Sequence, residues 1–458
     1  MVPYQDFLAR KAVRAESRGM DSIPPLADYL FPFQSHCVEF ALRQGRTGIF
    51  LDTGLGKTFV QLEWARHAEA ASNGRALILT PLAVARQIER EGRVFDYPVR
   101  VVRDQSDVKD GISICNYDRL DKLDLGAFGA VSLDEASILK SFTGKTTRAL
   151  IDSLSDHKWK MAATATPAPN DHMELGNYAE FLNTLSAVEM LSRFFINDTS
   201  TASQEWRLKR HGEIAFWDWM ASWSRMAESP ADLGDDISGF DLPALNVHIH
   251  RSRDSQIKAS DGGLFAAVSM SATTMHDVKR QTVKARAETA AALVNGEPWV
   301  LWCDTNYEAD ALKAAMPDAI EVRGSQSIDQ KEQLLDAFSS GDAKVLIAKP
   351  AMCGHGLNWQ HCARMAFVGR SYSYETYYQA VRRCWRYGQK HPVAVHLILA
   401  EGEREIGRVI DRKAREHIEM KSAMLAAMAR NKSAASDRKI AYEPNHHGGL
   451  PPWLTSDA

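Results

Sequence analysis

The stretch Phe50-Leu51-Asp52-Thr53-Gly54-Leu55-Gly56-Lys57-Thr58 constrains this chain more than any other. An apolar run (Ile49, Phe50, Leu51) leads into it and a helical pattern (Val60, Leu62, Trp64, Ala65) leaves it. Strand, glycine loop, helix is the context of a phosphate-binding loop. Two glycines let the backbone N–H groups from Thr53 to Gly56 converge on an anion, and the helix N-terminus behind them favours negative charge. Lys57 can then reach outer phosphates, and the Thr58 hydroxyl can ligate Mg²⁺. The full pattern has a glycine where Leu51 stands. The loop alone therefore leaves a plain surface turn open, and the decision passes to what lies downstream.

At 458 residues the chain suits two or three domains, and a net charge of −3 gives it no global basic signature. Nucleic-acid contacts would have to come from local basic patches or backbone amides. The N-terminal residues lack an apolar leader core and no run of about eighteen apolar residues occurs, so neither secretion nor a membrane span is expected. Six scattered cysteines without Cys-x-x-Cys fit reduced thiols in a cytoplasm. Cys353-Gly354-His355 and His361-Cys362 place four candidate metal ligands close together, but without the usual zinc-ligand spacing.

Apolar segments Thr47–Leu51, Ala76–Thr80, Val99–Val102, Ile112–Asn116, Ala130–Leu133 and Lys160–Ala163 alternate with helical patterns. Short buried strands separated by helices imply a parallel sheet covered on both faces, with ligands beyond the strands' carboxyl ends. A second alternating region carries Trp299–Trp302, Ala319–Val322, Val345–Ala348, Met365–Val368 and Val393–Leu399. The expected organisation is a helical segment over 1–30, a first α/β unit over 31–171, and a helical aromatic-rich insertion over 172–250. A linker over 251–280, a second α/β unit over 281–403, a helix over 404–430 and a flexible tail over 431–458 follow. The insertion holds Phe194, Phe195, Phe216, Trp217, Trp219 and Trp223 around a basic cluster, Arg207-Leu208-Lys209-Arg210-His211. Core packing is the favoured role for the tryptophans. Phosphate contact is an open role for the basic cluster. Ile406, Ile410, Ile418, Met424 and Met428 form the apolar stripe expected of a packing helix, and Trp453 near the end could dock elsewhere.

Asp134-Glu135 ends the buried run Val131–Leu133. An aspartate there can hold Mg²⁺, and the adjacent glutamate can orient and deprotonate a water. Thr164 and Thr166 follow the strand Lys160–Ala163 and can link that centre to another surface. In the second unit Gln379, Arg383 and Arg386 would share one helix face by their i, i+4, i+7 spacing. Arginines aimed across a cleft can stabilise charge on a transferring phosphoryl group.

Taken in order over about residues 30–400, these motifs resemble a superfamily-two helicase-type ATPase, most like the Swi/Snf branch, and resemble phage and prophage helicases of DEAD/DEAH-box type. Phe33-Gln34 resembles the adenine-reading glutamine motif, Asp52–Thr58 motif one, and Asp134-Glu135-Ala136-Ser137 the Asp-Glu box. Leu79-Thr80-Pro81 and Asn116-Tyr117 resemble motifs on the DNA side, and Thr164–Pro167 resembles motif three. Gly354-His355-Gly356-Leu357-Asn358 resembles motif five, which accounts for the Cys/His cluster without zinc, and Gln379–Gln389 resembles motif six. Ser137, Arg382 and Lys349-Pro350 depart from the family pattern, Arg382 by replacing an aspartate usual in motif six.

The resemblance implies two RecA-like parallel-sheet domains in tandem, an α/β fold with a helical insertion. It implies ATP and Mg²⁺ as ligands. Gln34, Thr53, Gly54, Leu55, Gly56, Lys57, Thr58, Gly356 and Gln379 would line the nucleotide, with Thr58 and Asp134 on the metal. Glu135, Lys57, Arg383 and Arg386 would be catalytic, and Thr80, Pro81, Asn116, Tyr117, Thr164 and Thr166 would face DNA. The implied function is an ATP-dependent translocase on double-stranded DNA, in the host cytoplasm if phage-encoded. Alternative readings are a strand-separating helicase, or an ATP-gated DNA-binding module that recruits a nuclease or methyltransferase.

Overall fold

The computed structural model describes residues 14–81, 84–141, 144–168, 171–198, 205–236, 240–251, 279–353, 357–371, 373–399 and 404–434. Seven strands form the first sheet: β1 (Arg46–Leu51), β2 (Arg75–Thr80), β3 (Val99–Val101), β4 (Gly111–Asn116), β5 (Ala130–Asp134), β6 (Trp159–Ala163) and β9 (Ser224–Ala227). Their order is β3-β4-β2-β5-β6-β1-β9, and every pairing is parallel. The central strands are almost wholly buried. That burial explains why they read as continuous apolar runs, since helices cover both faces. The order reverses next to β1, and the glycine loop leaves β1 at the carboxyl edge, where such sheets bind ligands.

The second sheet holds β10 (Leu245–Arg251), β11 (Trp299–Trp302), β12 (Ile320–Val322), β13 (Val345–Ala348), β14 (Arg364–Phe367) and β15 (Val393–Leu399). It is also all parallel, in the order β10-β15-β14-β11-β13-β12. Its two faces carry separate cores, one around Trp302, Trp359 and Phe367 and the other around Trp299, Leu301 and Ile347. Alternation of side chains along each strand produces that division.

Two strands of the stretch read as a helical insertion belong to the sheets, since β9 extends the first sheet beside β1 and β10 forms the edge of the second. A hairpin of β7 (Phe195–Asp198) with β8 (Glu205–Leu208) also lies there. The aromatics Phe194, Phe216, Trp217, Trp219 and Trp223 are buried in the first domain's core. Lys209 of the basic cluster donates from Nζ to the Ser192 and Arg193 carbonyls at 2.8 and 2.9 Å, capping the helix Ala187–Phe194. Residues 14–30, the described part of the segment expected to be helical, hold no helix. Their N–H groups at Arg18, Gly19 and Met20 instead bond the last carbonyls of the helix Pro32–Gln44.

The helix Arg404–Ala434 follows the second sheet in the chain, yet its Met420, Met424, Ala427 and Met428 join the first domain's core. Ile418, read as part of its apolar stripe, is exposed at 60%. Gly356, the linker residues 252–278 and Trp453 lie outside the described residues.

Candidate functional site

The loop after β1 turns on two left-handed glycines, Gly54 at φ 95° and Gly56 at φ 72°. A side chain at either would collide as well as strain the backbone. A Cβ at Gly54 would stand 3.0 Å from the Tyr387 backbone nitrogen, and one at Gly56 would stand 2.3 Å from Gln34 Nε2. Gln34 is held there because its Nε2 donates to the Leu55 carbonyl at 3.0 Å and its Oε1 accepts the Phe31 N–H at 3.1 Å. Lys57 opens the helix Lys57–Ala70, and its Nζ folds back to the Leu51 carbonyl at 2.8 Å. Burial lowers its pKa, opposed by Glu135, Asp52 and Asp134.

At the end of β5, Asp134 accepts Gln61 Nε2 at 2.8 Å and the Thr80 hydroxyl at 3.1 Å. Burial raises its carboxyl above the ordinary range, and neighbouring Glu135 adds to the effect. Glu135 sits in the left-handed region at φ 54°. Strain of this kind in a non-glycine residue marks a position the surroundings over-determine. Its Oε1 accepts the Thr164 hydroxyl at 2.7 Å and the Gln379 amide at 3.3 Å, the latter from the second domain.

Between the domains lies a cavity of about 350 Å³. Gln34, Thr53, Gly54, Gly56, Lys57, Thr58, Asp134 and Glu135 line it from the first domain, and Arg383 and Arg386 from the second. Its other end is aromatic, with Tyr29, Phe31, Phe59, Phe95, Phe240 and Tyr387. Phe240 stacks on Tyr387, centroids 4.5 Å apart. A second cavity, of about 420 Å³, reaches Glu135 from the far side and is lined by Pro81, Tyr117 and Gln379 among others. Glu135 thus separates two interdomain spaces.

Arg383 and Arg386 do not lie on one helix face as their spacing suggests. The helix Tyr374–Val381 ends before them, and i→i−3 bonds such as Cys384 N–H to the Val381 carbonyl wind the chain into turns. Both guanidiniums nevertheless converge, each donating to the Leu357 carbonyl at 3.3 Å. Burial depresses the Arg383 pKa to about 10. Burial and the neighbouring arginines take Arg386 to about 9. Among the described residues neither these arginines nor Lys57 forms an ion pair, and Arg386 Nε is buried without a hydrogen-bond partner. Three cations face one cavity, Arg383 buried and Lys57 and Arg386 half-buried, and none is in ion-pair contact with the carboxylates beside them, an arrangement that an added anion would stabilise. A polyphosphate fits that demand. Thr58 and Asp134 offer the oxygen donors a hard divalent cation takes.

The residues read as DNA contacts divide. Thr80, Thr164 and Thr166 are fully buried, and the hydroxyls of Thr80 and Thr164 serve Asp134 and Glu135. β2 and the end of β6 deliver Thr80 and Thr164 under the carboxylates, and none of the three threonines has exposed surface in this arrangement of the domains. Tyr117 donates its hydroxyl to the Asp134 carbonyl at 2.8 Å while lining the second cavity with Pro81. Asn116 is half-buried at the end of β4. Leu55 is buried, its carbonyl engaged by Gln34. Sequence reasoning missed Gln61 and Tyr387. Gln61 lies one helical turn beyond Lys57, a spacing that could have placed it on the same face.

Cys353 and Cys362 are both buried free thiols, and no group of three His, Cys, Asp or Glu among the described residues is arranged around a metal. No helix among them is long and apolar enough to cross a membrane. A phage protein, putative protein p41 of Acyrthosiphon pisum secondary endosymbiont phage 1, is 24% identical over 446 residues, spanning 81% of this chain and 92% of that protein. Residues 286–388, from the helix that covers the second sheet through both cleft arginines, match the model of the helicase conserved C-terminal domain.

Proposed function

We propose that the chain is an ATP-dependent translocase on nucleic acid, with double-stranded DNA as its track. The observation that carries the reading is the convergence of Lys57, Arg383 and Arg386 on one interdomain cavity beside Asp134 and Glu135. Lys57 would hold the outer phosphates, the loop from Thr53 to Gly56 would wrap them, and the aromatic end would take the base. Mg²⁺, when bound by Thr58 and Asp134, would offset phosphate charge.

Glu135 would take a proton from the attacking water while oxygen–phosphorus bond formation expels the diphosphate. The Thr164 hydroxyl fixes its rotamer, and Gln379 ties it to the other domain. Arg383 and Arg386 would leave the Leu357 carbonyl for the terminal phosphate, which couples hydrolysis to relative movement of the two sheets. Preference for duplex rests on the likeness of Gln379–Gln389 to motif six of the Swi/Snf branch. Contacts to the track would be mostly to phosphates, hence salt-sensitive.

The deciding measurement is the ATP hydrolysis rate without nucleic acid and with duplex DNA, single-stranded DNA or RNA. Duplex stimulation, lost in Lys57→Ala and Glu135→Gln, is expected. Stimulation by single strands alone would replace the reading with a strand-separating helicase, and full activity of either variant would refute the site.

A further inference from the structure

Motif six crosses the cleft by a residue that the arginine-finger reading does not use. Tyr378 and Arg382 lie one turn apart on the helix Tyr374–Val381 and its cap, with the Arg382 N–H on the Tyr378 carbonyl at 3.0 Å. Both reach Asp52, the residue that leads into the glycine loop. Tyr378 donates its hydroxyl to Asp52 Oδ1 at 2.6 Å, and Arg382 pairs with Oδ2. Arg382 also donates to the Thr53 carbonyl at 3.1 Å. The same Asp52 Oδ1 accepts the Thr53 N–H at 2.7 Å, and the Asp52 N–H bonds the Ala227 carbonyl of β9 at 2.9 Å. The pair is buried, with 3% of the Arg382 side chain and 6% of that of Asp52 exposed. Arg382 is further held against Trp385, whose Nε1 donates to the Pro243 carbonyl at 2.7 Å.

We propose that Asp52 and Arg382 are a positioning pair that registers the glycine loop of the first domain against motif six of the second, setting where Arg383 and Arg386 stand before a nucleotide arrives. The physical reason is distance and burial. Arg383 follows Arg382 directly, so whatever fixes Arg382 on Asp52 fixes the backbone from which the next guanidinium projects. A buried pair with further hydrogen bonds on each partner tolerates little slippage, because moving either charge leaves the other unsolvated. At this position an aspartate, the usual residue of the resembling family, would face Asp52 with like charge, so the attraction depends on the arginine that stands here. The Asp52 carboxyl agrees with this placement. Burial alone would raise its pKa, yet Arg382 and Lys421 bring it below the ordinary range.

The proposal rests on the ATPase reading for its catalytic arm only. The test uses the full chain with Val188→Cys and Asp336→Cys spin labels, one on an exposed site of each domain, measured without nucleotide. The native cysteines are all buried, which favours labelling at the introduced sites. Arg382→Ala and Asp52→Asn should broaden the interdomain distance distribution, and the swap Asp52→Arg with Arg382→Asp should narrow it again. Tyr378→Phe, which removes only a hydroxyl, keeps the test open if the charge variants fail to fold, and should broaden the distribution less. In hydrolysis assays the expected signature of Arg382→Ala is a kcat lowered about 10- to 100-fold with KM for ATP changed less than about threefold, because Lys57 and the loop glycines are intact. An unchanged distance distribution in Arg382→Ala and Tyr378→Phe would overturn the proposal, as would a rise in KM alone without recovery in the swap. A wild-type chain that hydrolyses no ATP would refute the ATPase reading while leaving the distance result to decide the pair.

Discussion

Gly56→Ala tests whether the glutamine ahead of the first helix and the phosphate loop are one mechanical unit. Gly56 has φ 72°, and an added Cβ would meet Gln34 Nε2 at 2.3 Å. Holding alanine in the left-handed region costs about 1–2 kcal/mol. Expelling the Gln34 amide forfeits its bonds to the Leu55 carbonyl and the Phe31 N–H, about 1 kcal/mol each. Gly56→Ala should therefore lose about 3–4 kcal/mol, and Gln34→Ala about 2 kcal/mol. In the double variant the amide is already gone, so only backbone strain is added and the total stays at about 3–4 kcal/mol instead of the additive sum of about 5–6. The shortfall of about 2 kcal/mol exceeds the usual scatter of independent sites, about 0.3–0.5 kcal/mol. Urea unfolding of the first domain, followed by the fluorescence of buried Trp64 and Trp159, reads it out. Strict additivity would refute the reasoning, since it would mean the alanine methyl finds room without moving Gln34.

Two further predictions concern the frame around the site. Lys160 is buried on β6 with Asn183 as its hydrogen-bond partner, and burial, with Arg46 adding, lowers its pKa to about 6. Its unfolded value is near 10.4, so between pH ~6 and ~10 the unfolded chain binds a proton that the native one does not, and stability should rise with pH by up to about 1.4 kcal/mol per unit. Lys160→Met should flatten that slope in denaturation curves taken across the window; an unchanged slope would place the effect elsewhere. Trp219→Ala should destabilise by about 3–5 kcal/mol, because the indole is wholly buried against Phe194 and Trp223. At a temperature where the variant remains folded its salt-dependent DNA affinity should match wild type; a selective loss of DNA binding would restore a stacking role to the insertion's aromatics.

Much of the cleft was legible from local pattern. A glycine loop between strand and helix, an acidic pair at a strand end and an arginine-rich segment each carry their chemistry in consecutive residues, and burial on both faces makes the strands of a parallel sheet read as apolar runs. β10 was missed for the opposite reason. As an edge strand it exposes Val247 and Ile249, and its Leu-Asn-Val-His-Ile-His alternation carries no continuous apolar run.

What the sequence by itself determined was the chemistry of each segment: which residues could cradle an anion, hold a cation or offer a base. What only the tertiary structure decided was which of them meet. Thr80 and Thr164 turned inward because β2 and β6 bring them beneath the carboxylates, where a buried acid needs donors. The helix Arg404–Ala434 returned to the first domain because its methionines find an apolar surface beside Trp219 and Trp223. Arg382, a departure from the resembling family in the linear sequence, gained its meaning only when the second sheet set it against Asp52, 330 positions earlier. Contacts of that separation depend on how whole domains pack, and no local periodicity encodes them.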